Sequence, residues 1–136
     1  MIFDHIGLFV PNLEKGRTHL SRILPITGWG QEIQDPGLKV QVQFGTDVSG
    51  VRYELVAPFG EGNPVSGVLA SGKGILNHVA YRVTDLPVEL ARLRAARALP
   101  IGDPQPAVAF DGARVAFFLT PLGFIVELIE APALTS

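Results

Sequence analysis

Asp4-His5-Ile6-Gly7-Leu8-Phe9-Val10 returns later in the chain as Asn77-His78-Val79-Ala80-Tyr81-Arg82-Val83, and the likeness of these two stretches decides the fold. The histidines are 78 − 5 = 73 residues apart. Downstream, Gly50-Val51-Arg52-Tyr53-Glu54-Leu55-Val56 reads like Gly123-Phe124-Ile125-Val126-Glu127-Leu128-Ile129, and those glutamates are 127 − 54 = 73 apart. Two histidines and two glutamates related by one offset mark a duplicated module.

Working outward, each histidine strand leads into a helical segment. In the second half, Asp85 caps a helix whose Leu86, Leu90 and Leu93 share one face, with Pro87 in the tolerated first turn and Glu89, Arg92, Arg94 and Arg97 towards solvent. In the first half, Asn12 is the cap and Leu13, Leu20, Ile23 and Leu24 are the apolar positions. Strands are then expected over Trp29–Ile33, Lys39–Phe44 and Val51–Val56, and over Leu99–Ile101, Val108–Phe110, Arg114–Leu119 and Phe124–Ile129. The order is βαβββ, twice, which is an α+β class. Residues 1–136 form one domain, with module one over about 1–58, a linker over about 59–74 and module two over about 75–132. The linker is rich in Gly, Pro and Ser and has room for a short helix from Pro64 to Ala70. Neither half, at about 70 residues, would hold more than a marginal core alone.

Composition narrows the function. A net charge of −2 over 136 residues offers no electrostatic footprint for nucleic acid. No apolar run reaches the roughly 18 residues of a membrane span, and the chain opens directly on an alternating strand, so a cytoplasmic protein without a membrane partner is expected. The absence of cysteine removes thiolate ligands and cysteine nucleophiles, so a transition metal would have to sit on nitrogen and oxygen.

Alternation puts His5 on the face of Gly7 and Phe9, and His78 on the face of Ala80 and Arg82, with small neighbours beside each imidazole. Glu54 and Glu127 lie inside otherwise apolar strands, where a carboxylate is costly unless paired or bound to a cation. A lone strand histidine is ordinarily a packed residue; recurrence of the whole pair at one offset points instead to His5, Glu54, His78 and Glu127 as ligands of one divalent ion. Cobalt, nickel, manganese, iron and zinc all suit two imidazoles and two carboxylates. His19, unpaired with either motif, reads as solvated or packed.

These segments resemble the vicinal oxygen chelate superfamily (glyoxalase/bleomycin resistance/dioxygenase), whose paired βαβββ modules wrap a metal in a curved mixed sheet. The likeness covers nearly the whole chain. Asp4–Gly7, Glu54-Leu55-Val56-Ala57-Pro58, Asn77–Tyr81, Gly112–Phe117 and Gly123–Leu128 look like segments of methylmalonyl-CoA epimerases and glyoxalase I-like proteins. Asn77 stands where epimerases usually carry a second histidine, Thr120-Pro121 where they carry His-Pro, and His19-Leu20 where an aromatic pair is common. Val40 or Gln41 falls where some epimerases have a glutamate proposed as a base.

The resemblance implies an epimerase or isomerase that removes a proton next to a metal-polarised carbonyl, acting on a small carbonyl or thioester such as methylmalonyl-CoA. Glu127 is the first choice of base and Glu54 the second. The alternatives are a glyoxalase I-type lactoylglutathione lyase and a non-catalytic small-molecule binding protein; a four-ligand set argues against an extradiol dioxygenase. Gln41 and Gln43 share a strand face and either orient substrate or are simply surface polar residues, and Arg92, Arg94, Arg97 and Arg114 either meet coenzyme phosphates or lie in solvent. Edge strands and the resemblance imply a homodimer.

Overall fold

The computed structural model describes residues 1–60 and 78–131. They fall into two compact units, residues 5–60 and residues 1–4 with 78–131. The helix expected over Pro64–Ala70 lies outside the described residues, as does Asn77.

Module one contains β1 (Ile2–Phe9), α1 (Leu13–Ile23), β2 (Ile26–Trp29), β3 (Ile33–Asp35), β4 (Val40–Asp47) and β5 (Arg52–Pro58). Asn12 caps α1 by accepting from the Lys15 N–H at 2.8 Å. The strands run in the order β2-β4-β5-β1, with β3 also on β4, and β1 lies parallel to β5. Leu13, Leu20, Leu55 and Ala57 form the core between helix and sheet, joined by Leu8, Trp29 and Tyr53. The other face is therefore left for chemistry.

Module two contains β6 (His78–Val83), α2 (Leu86–Ala95), β7 (Leu99–Pro106), β8 (Arg114–Leu119) and β9 (Ile125–Glu130). Asp85 caps α2 through the Val88 N–H at 3.2 Å. The order is β6-β9-β8-β7, with β6 parallel to β9. Its core, Val83, Leu86, Leu93, Ala98, Ala116, Phe118 and Leu128, again lies between sheet and helix. The expected α+β pattern of two βαβββ modules holds, each with a mixed sheet.

The differences have local causes. The strand expected over Trp29–Ile33 is centred on an interruption: β2 and β3 are two pieces lying along β4. Between them the Gly30 carbonyl accepts from Gln43 Nε2 at 2.8 Å while the Gly30 N–H donates to Phe44 O at 2.8 Å. In module two β7 is continuous but shifts register between Ile101 and Gln105, where Gly102 has φ +72°. Val108–Phe110 is not a strand but a single 3-10 turn, closed by Asp111 in the left-handed region.

Duplication reaches into the turns that feed the glutamate strands. Asp47 Oδ1 accepts from the Ser49 and Val51 N–H groups, and Thr120 Oγ1 accepts from those of Leu122 and Phe124; these residues are 120 − 47 = 73 apart. Gly50 and Gly123 close the same turns at φ +84° and +89°, a conformation that strains any residue with a Cβ. Thr120 thus has a structural task in the turn that leads into the second glutamate strand.

Gly45 pairs with Trp29 across β2 and β4, and a Cβ added there would stand 2.6 Å from the indole ring. Gly45→Ala should displace Trp29 from Ser21, whose Oγ accepts the indole N–H at 3.0 Å, at a cost of about 1–3 kcal/mol. Trp29 is the only tryptophan in the sequence, so its fluorescence would report the displacement directly, alongside a lower urea midpoint.

Candidate functional site

The registers of the glutamate strands coincide residue for residue in the two modules. Gly7 pairs with Glu54 between β1 and β5, and Ala80 with Glu127 between β6 and β9. Side chains of directly paired residues point to the same side of a sheet, so on the side of its histidine strand each glutamate has only a hydrogen atom or a methyl group beside it. Each histidine lies two residues before that small neighbour, on the same face.

In module one His5 Nε2 is 3.3 Å from Glu54 Oε1; in module two His78 Nε2 is 3.3 Å from Glu127 Oε1. All four residues are buried, His5 completely. Two donors held about 2.1 Å from one ion are separated by about 3.0 Å at adjacent corners of an octahedron and about 3.4 Å for a tetrahedron. A nitrogen–oxygen edge of 3.3 Å in each module fits two ligands of one ion. The donor chemistry fits equally: neutral imidazole and carboxylate suit borderline divalent transition metals.

Each imidazole is also held by a ring. Phe44 meets His5 edge to face, centroids 5.4 Å apart, and Phe117 meets His78 in the same way at 6.2 Å. Phe44 lies directly opposite Glu54 in β4 and β5, as Phe117 does opposite Glu127 in β8 and β9. Sequence reasoning misses these phenylalanines although they obey the same spacing, since 117 − 44 = 73. Attention to titratable residues passes over the apolar wall that orients them.

Other expected roles change. Gln41 and Gln43 pair with Ala57 and Leu55, which places both on the helix side and not with the ligands. Gln43 is buried there, accepting from Arg17 Nη1 at 2.7 Å and donating to Gly30 O, so it braces α1 and the β2–β3 break. The ligand side of β4 carries Val40, Val42 and Phe44. Arg92 pairs with Glu89 at 2.7 Å, and Arg114 with Glu130 at 2.9 Å; Arg94 and Arg97 are exposed, as is His19.

A family model described as the Glyoxalase/Bleomycin resistance protein/Dioxygenase superfamily matches residues 4–117. The chain belongs to that superfamily. As a glyoxalase-superfamily protein it is similar to the ethylmalonyl-CoA/methylmalonyl-CoA epimerase of Cereibacter sphaeroides, 33% identical with 93% of each chain covered. It is also similar to the mitochondrial methylmalonyl-CoA epimerase of Bos taurus, 29% identical over 94% of this chain and 73% of that one. Among solved structures, a variant of Streptomyces coelicolor methylmalonyl-CoA epimerase in complex with 2-nitronate-propionyl-CoA shares the fold, with TM-score 0.77 and 20% identity over 100% of this chain and 98% of that one. The superfamily assignment rests on residues that include the histidine strands and Glu54, while Glu127 falls beyond the matched range.

Proposed function

We propose that the chain is a divalent-metal-dependent epimerase of an acyl-CoA of the methylmalonyl type, with His5, Glu54, His78 and Glu127 as ligands and Glu127 and Glu54 as proton carriers. The observation that carries this is the recurrence of a buried His–Glu pair with the same 3.3 Å spacing in each module. Each pair offers one buried imidazole nitrogen and one buried carboxylate oxygen that a divalent ion could take. Similarity to curated epimerases supports the substrate class, and it does not favour the glyoxalase I-type reading.

A divalent ion on these ligands would supply Lewis-acid polarisation of a substrate carbonyl. The chain's own residues do the rest. The apolar walls, Phe44 and Val42 in one module and Phe117 and Val115 in the other, exclude water and fix the imidazoles. Glu127 accepts the proton from the substrate carbon next to the carbonyl, and the electron pair left behind delocalises onto the thioester oxygen. Glu127 has Ile125 and Ile129 on either side along its own strand face, whereas Glu54 has Arg52, so no cation on β9 holds its charge away from the reacting proton. Glu54, once protonated from solvent, delivers that proton to the opposite face, and loss of the abstracted proton from Glu127 to solvent resets both carboxylates.

Solvent exchange gives the test. In heavy water with a divalent ion, methylmalonyl-CoA should gain deuterium at its α-carbon and interconvert its two epimers. Absence of exchange with cobalt, nickel, manganese, iron and zinc alike would overturn the reading.

We also propose a homodimer in the cytoplasm, where an acyl-CoA substrate would be met. The outermost strand of module two, β7, is exposed along nearly all of its length and carries Leu99 and Ile101 at 63% and 47% exposure, the apolar edge that a second copy would cover. Among the described residues, no helix is long and apolar enough to cross a membrane.

A further inference from the structure

Phe44, the ring that braces His5, stands where the outer ladder of module one is broken. The residues of β4 paired with β2 begin at Gly45 and those paired with β3 end at Val42, so neither strand reaches Gln43 or Phe44. Gly30 closes the break. Its N–H donates to the Phe44 carbonyl at 2.8 Å and its own carbonyl accepts from Gln43 Nε2 at 2.8 Å, so one residue grips two consecutive residues of β4. Gln43 Oε1 accepts from Arg17 Nη1 at 2.7 Å, which turns the other end of the amide towards Gly30. Gln43 lies buried on the helix side and Phe44 on the ligand side. Consecutive strand residues project to opposite faces, so a grip on Gln43 fixes the backbone from which the Phe44 ring projects. Module two is built differently, since Phe117 pairs directly with Ile101 of β7. The residues there that correspond to Arg17 and Gln43 are Leu90 and Ala116, because 17 + 73 = 90 and 43 + 73 = 116, and both pack into the apolar core.

We propose that Gln43, its amide oriented by Arg17, is a positioning residue for His5 and acts through Gly30 and the Phe44 ring. A buried amide that only filled space could give way to apolar side chains, as in module two, at little cost to folding. The polar chain occurs instead in the module whose bracing ring has no ladder partner on its outer side. Phe44 meets His5 edge to face, with centroids 5.4 Å apart and planes at 81°, a favoured aromatic arrangement that resists rotation of the imidazole. Fixing the orientation of a ligand in advance strengthens its hold on a metal.

The inference rests on the reading of His5 as a ligand, and the experiment measures position and metal binding separately. Imidazole proton resonances of the metal-free protein come from His5, His19 and His78 alone, and substitution of His5→Gln assigns the first. The ring current of Phe44 makes the His5 signals a gauge of where that ring stands. In Gln43→Leu they should shift or broaden while those of His78 stay in place. The urea midpoint should stay close to that of wild type, because Gly30 is exposed to water and Arg17 keeps Glu32 at 3.7 Å. Cobalt affinity should fall about tenfold, the lower end for loss of a group that orients a ligand. Arg17→Leu should give the same changes in weaker form, and Arg17→Lys, which keeps a donor for Gln43 Oε1, should restore the wild-type spectrum. Unmoved His5 signals in Gln43→Leu overturn the proposal, as do His5 and His78 signals that move together with a fallen urea midpoint. Should Gln43→Leu fail to fold, the two Arg17 variants decide by the same signals. A wild type that takes up no cobalt overturns the ligand reading of His5, while the resonances still decide whether Gln43 positions it.

Discussion

His5→Ala should lose the bound ion and with it α-proton exchange, by about a thousandfold or more, because several kcal/mol of transition-state stabilisation come from polarising the carbonyl. The same loss is expected for His78→Ala, since the two imidazoles occupy equivalent places, each within 3.3 Å of its glutamate and each braced by a phenylalanine. Glu54→Gln and Glu127→Gln separate binding from proton transfer. An amide keeps an oxygen donor but cannot take up the proton, so each variant should retain measurable metal while exchange falls, further for Glu127→Gln than for Glu54→Gln. Elemental analysis after gel filtration, set beside deuterium uptake, checks both statements. A His5→Ala protein that keeps stoichiometric metal would exclude His5 as a ligand, and equal exchange in wild type and Glu127→Gln would remove Glu127 as the base. Chelating the metal from wild type should reproduce the His5→Ala rate, and adding it back should restore activity in wild type only.

The single offset of 73 residues makes the two His–Glu pairs legible in the amino-acid sequence itself. A duplicated module repeats its backbone, so residues at one offset occupy one kind of place, and a carboxylate repeated inside an apolar strand has to have a partner. The Gln41–Gln43 face is harder to read. Period-two alternation states which residues share a side, but not which side meets the helix; that depends on pairing with β5, where Leu55 and Ala57 already belong to the core. The interrupted strand at Trp29–Ile33 depends on a tertiary bond, Gln43 Nε2 to Gly30 O, and no local propensity encodes it. Val108–Phe110 has the β-branched and aromatic character of a strand, yet the left-handed Asp111 and Gly112 that follow fold it into a turn. Arg52 is visible as a letter in the repeated motif, but its place over the Phe44 ring is set by the pairing of β4 with β5.

The second large effect concerns stability. Asp4 and Arg82 meet at 2.7 Å with side chains only 1% and 11% exposed, and the Arg82 guanidinium also lies 5.6 Å from the Phe110 ring centre. Removing one partner of such a pair leaves a charge where water cannot fully reach it, and Asp4→Ala should cost about 3–5 kcal/mol. That is a large share of the roughly 5–15 kcal/mol that typically holds a domain together, so the urea midpoint should fall steeply. Removing both charges is a different experiment. Asp4→Leu with Arg82→Met replaces the pair by apolar side chains of similar length, and it should recover most of the loss because no ion then remains to be desolvated. Asp4→Asn, which keeps an oxygen acceptor for the arginine, should fall between the two. If the double variant proved as unstable as Asp4→Ala, the pair would be holding the start of β1 in a geometry that packing alone cannot reproduce. Metal affinity would then fall along with stability, because His5 is the next residue in that strand.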